Sequence, residues 1–336
     1  MANTFVISCR DVHGKKFRAE PGPTRFLKVP ASADEIDPTH EVKNSAVWRR
    51  NIIAAADGVE DEITGSTGNV LLFVHGYNNT TRSVLSRTRT LAQTLSDAGW
   101  VGLVIAFDWP SDNSTLNYLE DRSDAAQTAL QLTQDALTLM VDAQDPQDGG
   151  TPCTLNMHLI GHSTGAYVIM EAFSQAQKKG DLFKRPWRMG QVAFIGGDVG
   201  RDSLKESSDW SKPLYSRIMR LTNYSSGFDQ ALAVSNAKRL GTEPRAGRSG
   251  LPDGIPHKAV NVNCSQYFTT KDPKSSTYEG NFTHSWYIGD PVFALDLAMT
   301  LDGGIDRDVI PTRVLVNGEL CLQPGQRPQY QKDWTP

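Results

Sequence analysis

The chain has 336 residues, 39% hydrophobic and 21% charged, with a formal net charge of −4. That composition describes a globular protein with a sizeable core, and its interspersed acids and bases exclude a nucleic-acid-binding surface. No apolar run reaches the length of a membrane span, the N-terminus lacks a secretory signal, and the four cysteines are too scattered for a zinc or redox motif; free thiols, a cytoplasmic location, and neither metal nor cofactor are expected.

Two strands are expected early, over Thr4–Arg10 and Thr24–Pro30, separated by a polar turn bearing Gly and Pro. The stretch Thr39–Glu60 reads as a peripheral addition. Further strands are expected at Asn69–His75, Trp100–Phe107, Leu155–Gly161, Gln191–Gly197, Arg217–Asn223 and Ala259–Cys264. Near-continuous apolar runs such as Val70–Val74 suit strands buried on both faces of a parallel sheet. Helical stripes lie between them, one through Val84, Leu91, Leu95 and Ala98 and another through Ala126, Leu130, Leu137 and Met140. Asp290-Pro291 reads as an N-cap and first-turn proline for a helix through Val292, Leu295 and Met299. The last stretch, Gly303–Pro336, reads as peripheral, with a short strand at Arg313–Val316. Strands alternating with helices imply right-handed βαβ units. The expected fold is α/β: an eight-stranded, mostly parallel, doubly wound sheet flanked by helices, with no large cap domain. A single domain is expected over 1–304, with strands and an extension in 1–68, the core in 69–302, and a C-terminal extension over 305–336.

The fifth expected strand runs into Gly161-His162-Ser163-Thr164-Gly165, and a helical pattern through Ala166, Ile169, Met170 and Phe173 follows at once. A strand, a Gly-x-Ser-x-Gly turn and a helix together make the sharp elbow that presents a nucleophilic serine. Glycines flank it because side chains there would collide with the neighbouring elements. Ser163 therefore ends a strand at the carboxyl edge of the sheet, where open α/β sheets bind ligands.

A serine hydroxyl needs a base, usually histidine, and the chain order expected for this arrangement is serine, acid, histidine. Only His257 and His284 follow Ser163. His257 precedes the eighth strand and belongs to the opposite end of the sheet. His284 follows that strand after a polar stretch long enough to return to the rim, and is the better candidate. For the acid, Asp229 follows the seventh strand, although it also reads as a helix N-cap. Asp198, just past the sixth strand, is the alternative, with Asp202 and Asp290 more remote. An oxyanion needs preorganised N–H donors. The amide of Thr164, at a helix N-terminus, is one candidate, and that of Tyr77 is the other, with Asn78 nearby. His75 is expected to support this loop, and His162 to fill space beside the serine.

Three stretches carry a resemblance: Val74-His75-Gly76-Tyr77-Asn78-Asn79-Thr80; Phe107-Asp108-Trp109-Pro110-Ser111 with Tyr118 and Asp121-Arg122 downstream; and His158-Leu159-Ile160-Gly161-His162-Ser163. Across roughly Val70 to Thr300 the chain resembles the α/β-hydrolase superfamily. More narrowly, it resembles the small bacterial α/β hydrolases catalogued as a domain of unknown function. The resemblance implies an α/β-hydrolase fold, an oxyanion loop after the third strand, and a triad of Ser163, Asp229 and His284. Thr164 stands where many relatives carry methionine, and Gly241–Lys258 reads as an insertion without a counterpart. The expected activity is hydrolysis of a small carboxylic ester through an acyl-enzyme. Thioesterase, amidase or acyltransferase chemistry would use the same residues. A lipid-acting effector and a non-catalytic binding protein are the readings from other classes. Asn78 and the aromatics Tyr77, Trp109, Tyr118 and Phe228 are expected to wall an apolar cleft with few fixed charges.

Overall fold

The strand Asn69–Val74 shows how the fold is assembled. Val70, Leu72 and Val74 enter one hydrophobic core, while Leu71 and Phe73 enter a second on the opposite side. Side chains alternate across a strand, so an unbroken apolar run means that both faces are covered. The first core includes Ile169, Met170 and Phe173 of the helix Thr164–Lys179. The second takes Leu91 and Leu95 of the helix Thr81–Asp97 with Phe293 and Leu297 of the helix Pro291–Asp302. Burying each such side chain completely contributes roughly 1.5–3 kcal/mol.

The computed structural model describes residues 2–56, 68–111, 121–146, 153–238, 243–274 and 280–328. Its strands are β1 (Thr4–His13), β2 (Lys16–Val29), β3 (Asn69–Val74), β4 (Leu103–Asp108), β5 (Asn156–His162), β6 (Met189–Ile195), β7 (Ile218–Ser225), β8 (Ala259–Asn263), β9 (Arg313–Val316) and β10 (Glu319–Leu322). They form one sheet in the order β2-β1-β4-β3-β5-β6-β7-β8-β10-β9. All pairings are parallel except the two edge hairpins, β1 with β2 and β9 with β10. Helices cover both faces, and among the described residues no inserted lobe caps the carboxyl edge.

The eight expected strands are all present, and β9 with β10 extends the sheet to ten. β2 starts earlier than expected, at Lys16, and runs through Pro21-Gly22-Pro23. An edge strand tolerates prolines because one side of its backbone needs no partner. Two segments expected to be peripheral are integral. Trp48 and Ile52 of the helix Ser45–Ala56 join the first core, and the Trp48 indole N–H donates to the Leu27 carbonyl at 2.8 Å. The C-terminal hairpin is held by Arg313, a buried guanidinium that bonds Asp296 Oδ1 at 2.7 Å and Thr300 Oγ1 at 2.6 Å. Asp290 caps the helix Pro291–Asp302 by accepting the Val292 and Phe293 amides at 3.0 and 2.9 Å. All four cysteines are free thiols. No helix among the described residues is long and apolar enough to cross a membrane.

Candidate active site

Ser163 stands between β5 and the helix Thr164–Lys179 with φ 56° and ψ −124°, backbone angles that L-residues rarely adopt. The turn is locked by the Ser163 amide donating to the Ile195 carbonyl (3.1 Å) and the Asp198 amide donating to the Ser163 carbonyl (2.9 Å). Its tightness depends on missing side chains. A Cβ on Gly161 would fall 2.8 Å from Ala166 Cα, and one on Gly165 would overlap the Val74 carbonyl. Gly76, in the loop after β3, is a third such position: its Cβ would fall 2.5 Å from Ser163 Cβ. The positive end of the following helix lies beside the serine and favours negative charge there.

His284 lies in the short helix Phe282–Ser285, started by Asn281, whose side chain accepts the Thr283 amide. Its Nδ1 is 2.6 Å from Asp229 Oδ2, and both groups are buried. Asp229 Oδ1 accepts the Leu232 amide at 2.9 Å, so the carboxylate caps a helix and holds the imidazole at once. Behind it, Arg248 Nη1 donates to the Asp229 carbonyl at 2.5 Å. The other acids have other partners. Asp198 is 3.3 Å from Arg245 and accepts from Ser235, Asp202 pairs with Lys205, and Asp290 caps its helix and pairs with Lys271. His257 lies beside Arg307, away from this edge. His162 places its Nε2 3.0 Å from the His284 carbonyl and tilts its ring against the His284 ring at 4.7 Å. Burial, with the fields of His284 and Arg87, pushes the His162 imidazole well below its ordinary range, so it stays neutral.

The loop after β3 is fixed from beneath. Trp109 donates its amide to His75 Nε2 (3.1 Å) and its indole N–H to the His75 carbonyl (2.8 Å), and the two rings stack. His75 Nδ1, which then carries the proton, donates to the Gly76 carbonyl at 2.7 Å. Burial lowers the His75 pKa, in keeping with a neutral ring. Asn78 takes a left-handed φ of 56°, which asparagine tolerates.

Tyr77, Asn78, Ser163, Thr164 and His284 line one cleft of about 470 Å³, with Ala231, Leu232 and Val234 contributing apolar surface. Two expectations about its walls need correction. Trp109 does not reach it: the ring is fully buried because its N–H is satisfied by a carbonyl under the loop. Phe228 does not line it either: it is exposed and stacks on Phe268. The fixed charges are few, as expected, with Arg87 and Asp198 in the lining, and Tyr118 lies outside the described residues. Arg87 sits one turn from both Val84 and Leu91, so an arginine on an apolar stripe was its signal in the sequence. The stretch read as an insertion acts as a brace. The Ala246 and Gly247 amides donate to the Val199 and Gly197 carbonyls (2.9 and 3.0 Å), and the Ser226 amide donates to the Gly247 carbonyl (2.9 Å). Among the described residues, no group of three or more His, Cys, Asp or Glu side chains is arranged to hold a metal ion.

A family model described as an alpha/beta hydrolase of unknown function (DUF900) matches residues 54–251. The match takes in Ser163 and Asp229, part of the brace at 243–250, and ends before His284. No curated protein matches the chain. Among solved structures, a cutinase-like protein from Cryptococcus sp. is 14% identical, with 70% of this chain and 94% of that one covered and a TM-score of 0.37. An esterase from Pyrobaculum calidifontis is 11% identical over 88% and 84% of the two chains, with a TM-score of 0.36. The putative cell surface hydrolase from Lactobacillus plantarum WCFS1 is 12% identical over 72% and 93% of the two chains, with a TM-score of 0.35.

Proposed function

Since the chain belongs to the alpha/beta-hydrolase family of unknown function (DUF900), we propose that it is a serine hydrolase that cleaves small carboxylic esters. Ser163 Oγ attacks the ester carbonyl while His284 Nε2 takes its proton. Asp229 keeps the proton of the imidazole on Nδ1, which leaves Nε2 as the acceptor, and offsets the charge of the imidazolium that forms. The amides of Tyr77 and Thr164 donate to the oxyanion. The alcohol leaves with the proton held by His284, and water activated by the same imidazole hydrolyses the acyl-enzyme.

The single observation that carries this reading is the 2.6 Å Asp229–His284 pair, with His284 lining the same cleft as the strained Ser163. A serine at an ordinary surface turn has no reason to share a cleft with a buried imidazole held by a carboxylate. The cleft volume of about 470 Å³ suits a small ligand, with the acyl part against Ala231, Leu232 and Val234. Turnover of p-nitrophenyl esters of graded chain length tests the reading. Wild type should hydrolyse the short and medium esters, and Ser163→Ala should reduce kcat by a factor on the order of 10⁴–10⁶. Equal rates for the two proteins would refute it.

A further inference from the structure

Arg10 is a buried arginine on β1, outside the residues that match the family. The β1–β2 register shifts on either side of it, and it follows Ser8 by two residues, so both side chains leave the same face of the strand. Its Nε donates to Asp108 Oδ1 at 2.8 Å, and its Nη2 donates to the Asn79 carbonyl at 2.9 Å. Ser8 Oγ donates to the second Asp108 oxygen at 2.7 Å. One guanidinium thus joins the end of β4 to the loop after β3. A planar fork serves two acceptors at once, which an ammonium does less well.

The consequence lies in the Gly76–Tyr77 peptide. Its carbonyl, on Gly76, accepts from His75 Nδ1 (2.7 Å) and from Asn79 Nδ2 (2.9 Å). Asn79 Nδ2 also donates to the Tyr77 carbonyl at 3.0 Å, and the Asn79 amide donates to Ser111 Oγ at 3.0 Å. In a trans peptide the C=O and N–H point in opposite directions. Two donors pinning the Gly76 carbonyl therefore fix the direction of the Tyr77 N–H. Those donors are held in turn: His75 by Trp109, which follows Asp108 in sequence, and Asn79 through its own carbonyl by Arg10.

We infer that Arg10, with Asp108, is a positioning residue that aims the Tyr77 N–H at the oxyanion. The inference rests on the proposed serine-hydrolase reading and adds the N-terminal hairpin to its machinery. A role in stability alone would not require an ion pair here, because apolar side chains of similar size often replace a buried pair without loss.

The test compares wild type, Arg10→Lys and the double variant R10M/D108L. Measurements are kcat and KM on p-nitrophenyl butyrate, inhibition by an alkyl trifluoromethyl ketone, and the melting temperature. The ketone adds to the serine and presents an oxyanion to the same donors. The double variant removes both charges together and leaves neither ion of the pair stranded, and Arg10→Lys keeps the charge while losing one of the two bonds. The expected result for the double variant is a kcat lowered about ten- to a hundredfold, KM within about twofold of wild type, and ketone inhibition weakened in parallel. Arg10→Lys should fall between the two. A folded double variant with wild-type kcat, or a lost kcat with ketone inhibition unchanged, overturns the inference. If the double variant does not fold, Arg10→Lys decides: wild-type kcat in that protein overturns it. A wild-type chain that turns over no ester and takes no serine-directed label defeats the functional reading itself, and this one with it.

Discussion

Asp229 grips His284 Nδ1 at 2.6 Å with one carboxylate oxygen while the other oxygen accepts the Leu232 amide at 2.9 Å. The helix cap fixes where the carboxylate stands, and the carboxylate fixes the imidazole. One carboxylate thus makes both contacts that its sequence position suggests, the helix cap and the imidazole.

That double duty separates the two candidate acids. Asp229→Asn keeps an oxygen for the Leu232 amide, so its melting temperature should change little. Its amide removes the acceptor for the His284 Nδ1 proton, and kcat on p-nitrophenyl butyrate should fall by a factor on the order of 10³–10⁴. Asp198→Asn leaves the buried Arg245 without its carboxylate. It should lose stability with a far smaller loss of kcat. The opposite pattern would make Asp198 the acid.

Gly76→Ala tests how closely the loop after β3 must approach the elbow. The added methyl would meet Ser163 Cβ at 2.5 Å and the His162 carbonyl at 2.9 Å, and both belong to a rigid turn. The loop must yield, at about 1–3 kcal/mol of stability, and the Tyr77 amide moves with it. A kcat loss of about a hundredfold is expected. Urea denaturation and steady-state kinetics on the same preparation check both numbers.

Leu232 is buried in the cleft wall. Leu232→Ala should lower stability by about 2–5 kcal/mol and open room for further methylenes. The ratio of kcat/KM for octanoate over butyrate esters should then rise above the wild-type ratio. An unchanged ratio would place the acyl chain elsewhere.

Stability should fall in mild acid for an identifiable reason. His158 accepts the Gln191 amide on Nδ1 (3.0 Å), and its Nε2 lies 3.3 Å from Asn69 Oδ1, so the neutral ring is satisfied and a second ring proton has no acceptor. Burial lowers its pKa from the ordinary 6.5 to about 4. The unfolded chain therefore takes up the proton first as pH falls. The contribution is fully present above about pH 6.5 and is lost progressively towards pH 4, about 3 kcal/mol in total. His75 and His162, also lowered by burial, act in the same direction. His158→Gln should flatten the urea midpoint between pH 7 and pH 4 by its own share, whereas parallel curves for the two proteins would contradict this.

Local features were legible in the sequence wherever they depend on neighbours along the chain. Alternation and apolar runs carry β3 to β8, and Asp290-Pro291 carries the last long helix. β10 had a signal as well. Asn317-Gly318, both at positive φ, is a two-residue hairpin turn after β9, so a strand at Arg313–Val316 implies a partner. β2 looked shorter than it is because Pro-Gly-Pro reads as a turn unless the strand is known to lie at an edge. Trp109 was expected in the cleft because it follows a strand that ends at the same rim as Ser163. Only the three-dimensional path supplies the carbonyl that draws its indole inward. Arg10 was beyond reach, since its partner Asp108 is 98 residues away and neither residue advertises the other.

The most direct measurement of the central claim is intact-mass analysis after reaction with a fluorophosphonate, followed by peptide mapping. The proposed chemistry predicts one adduct per chain, on Ser163, formed quickly in wild type, slowly in His284→Ala and not at all in Ser163→Ala. An unlabelled wild-type chain, or an adduct on any other residue, would contradict it.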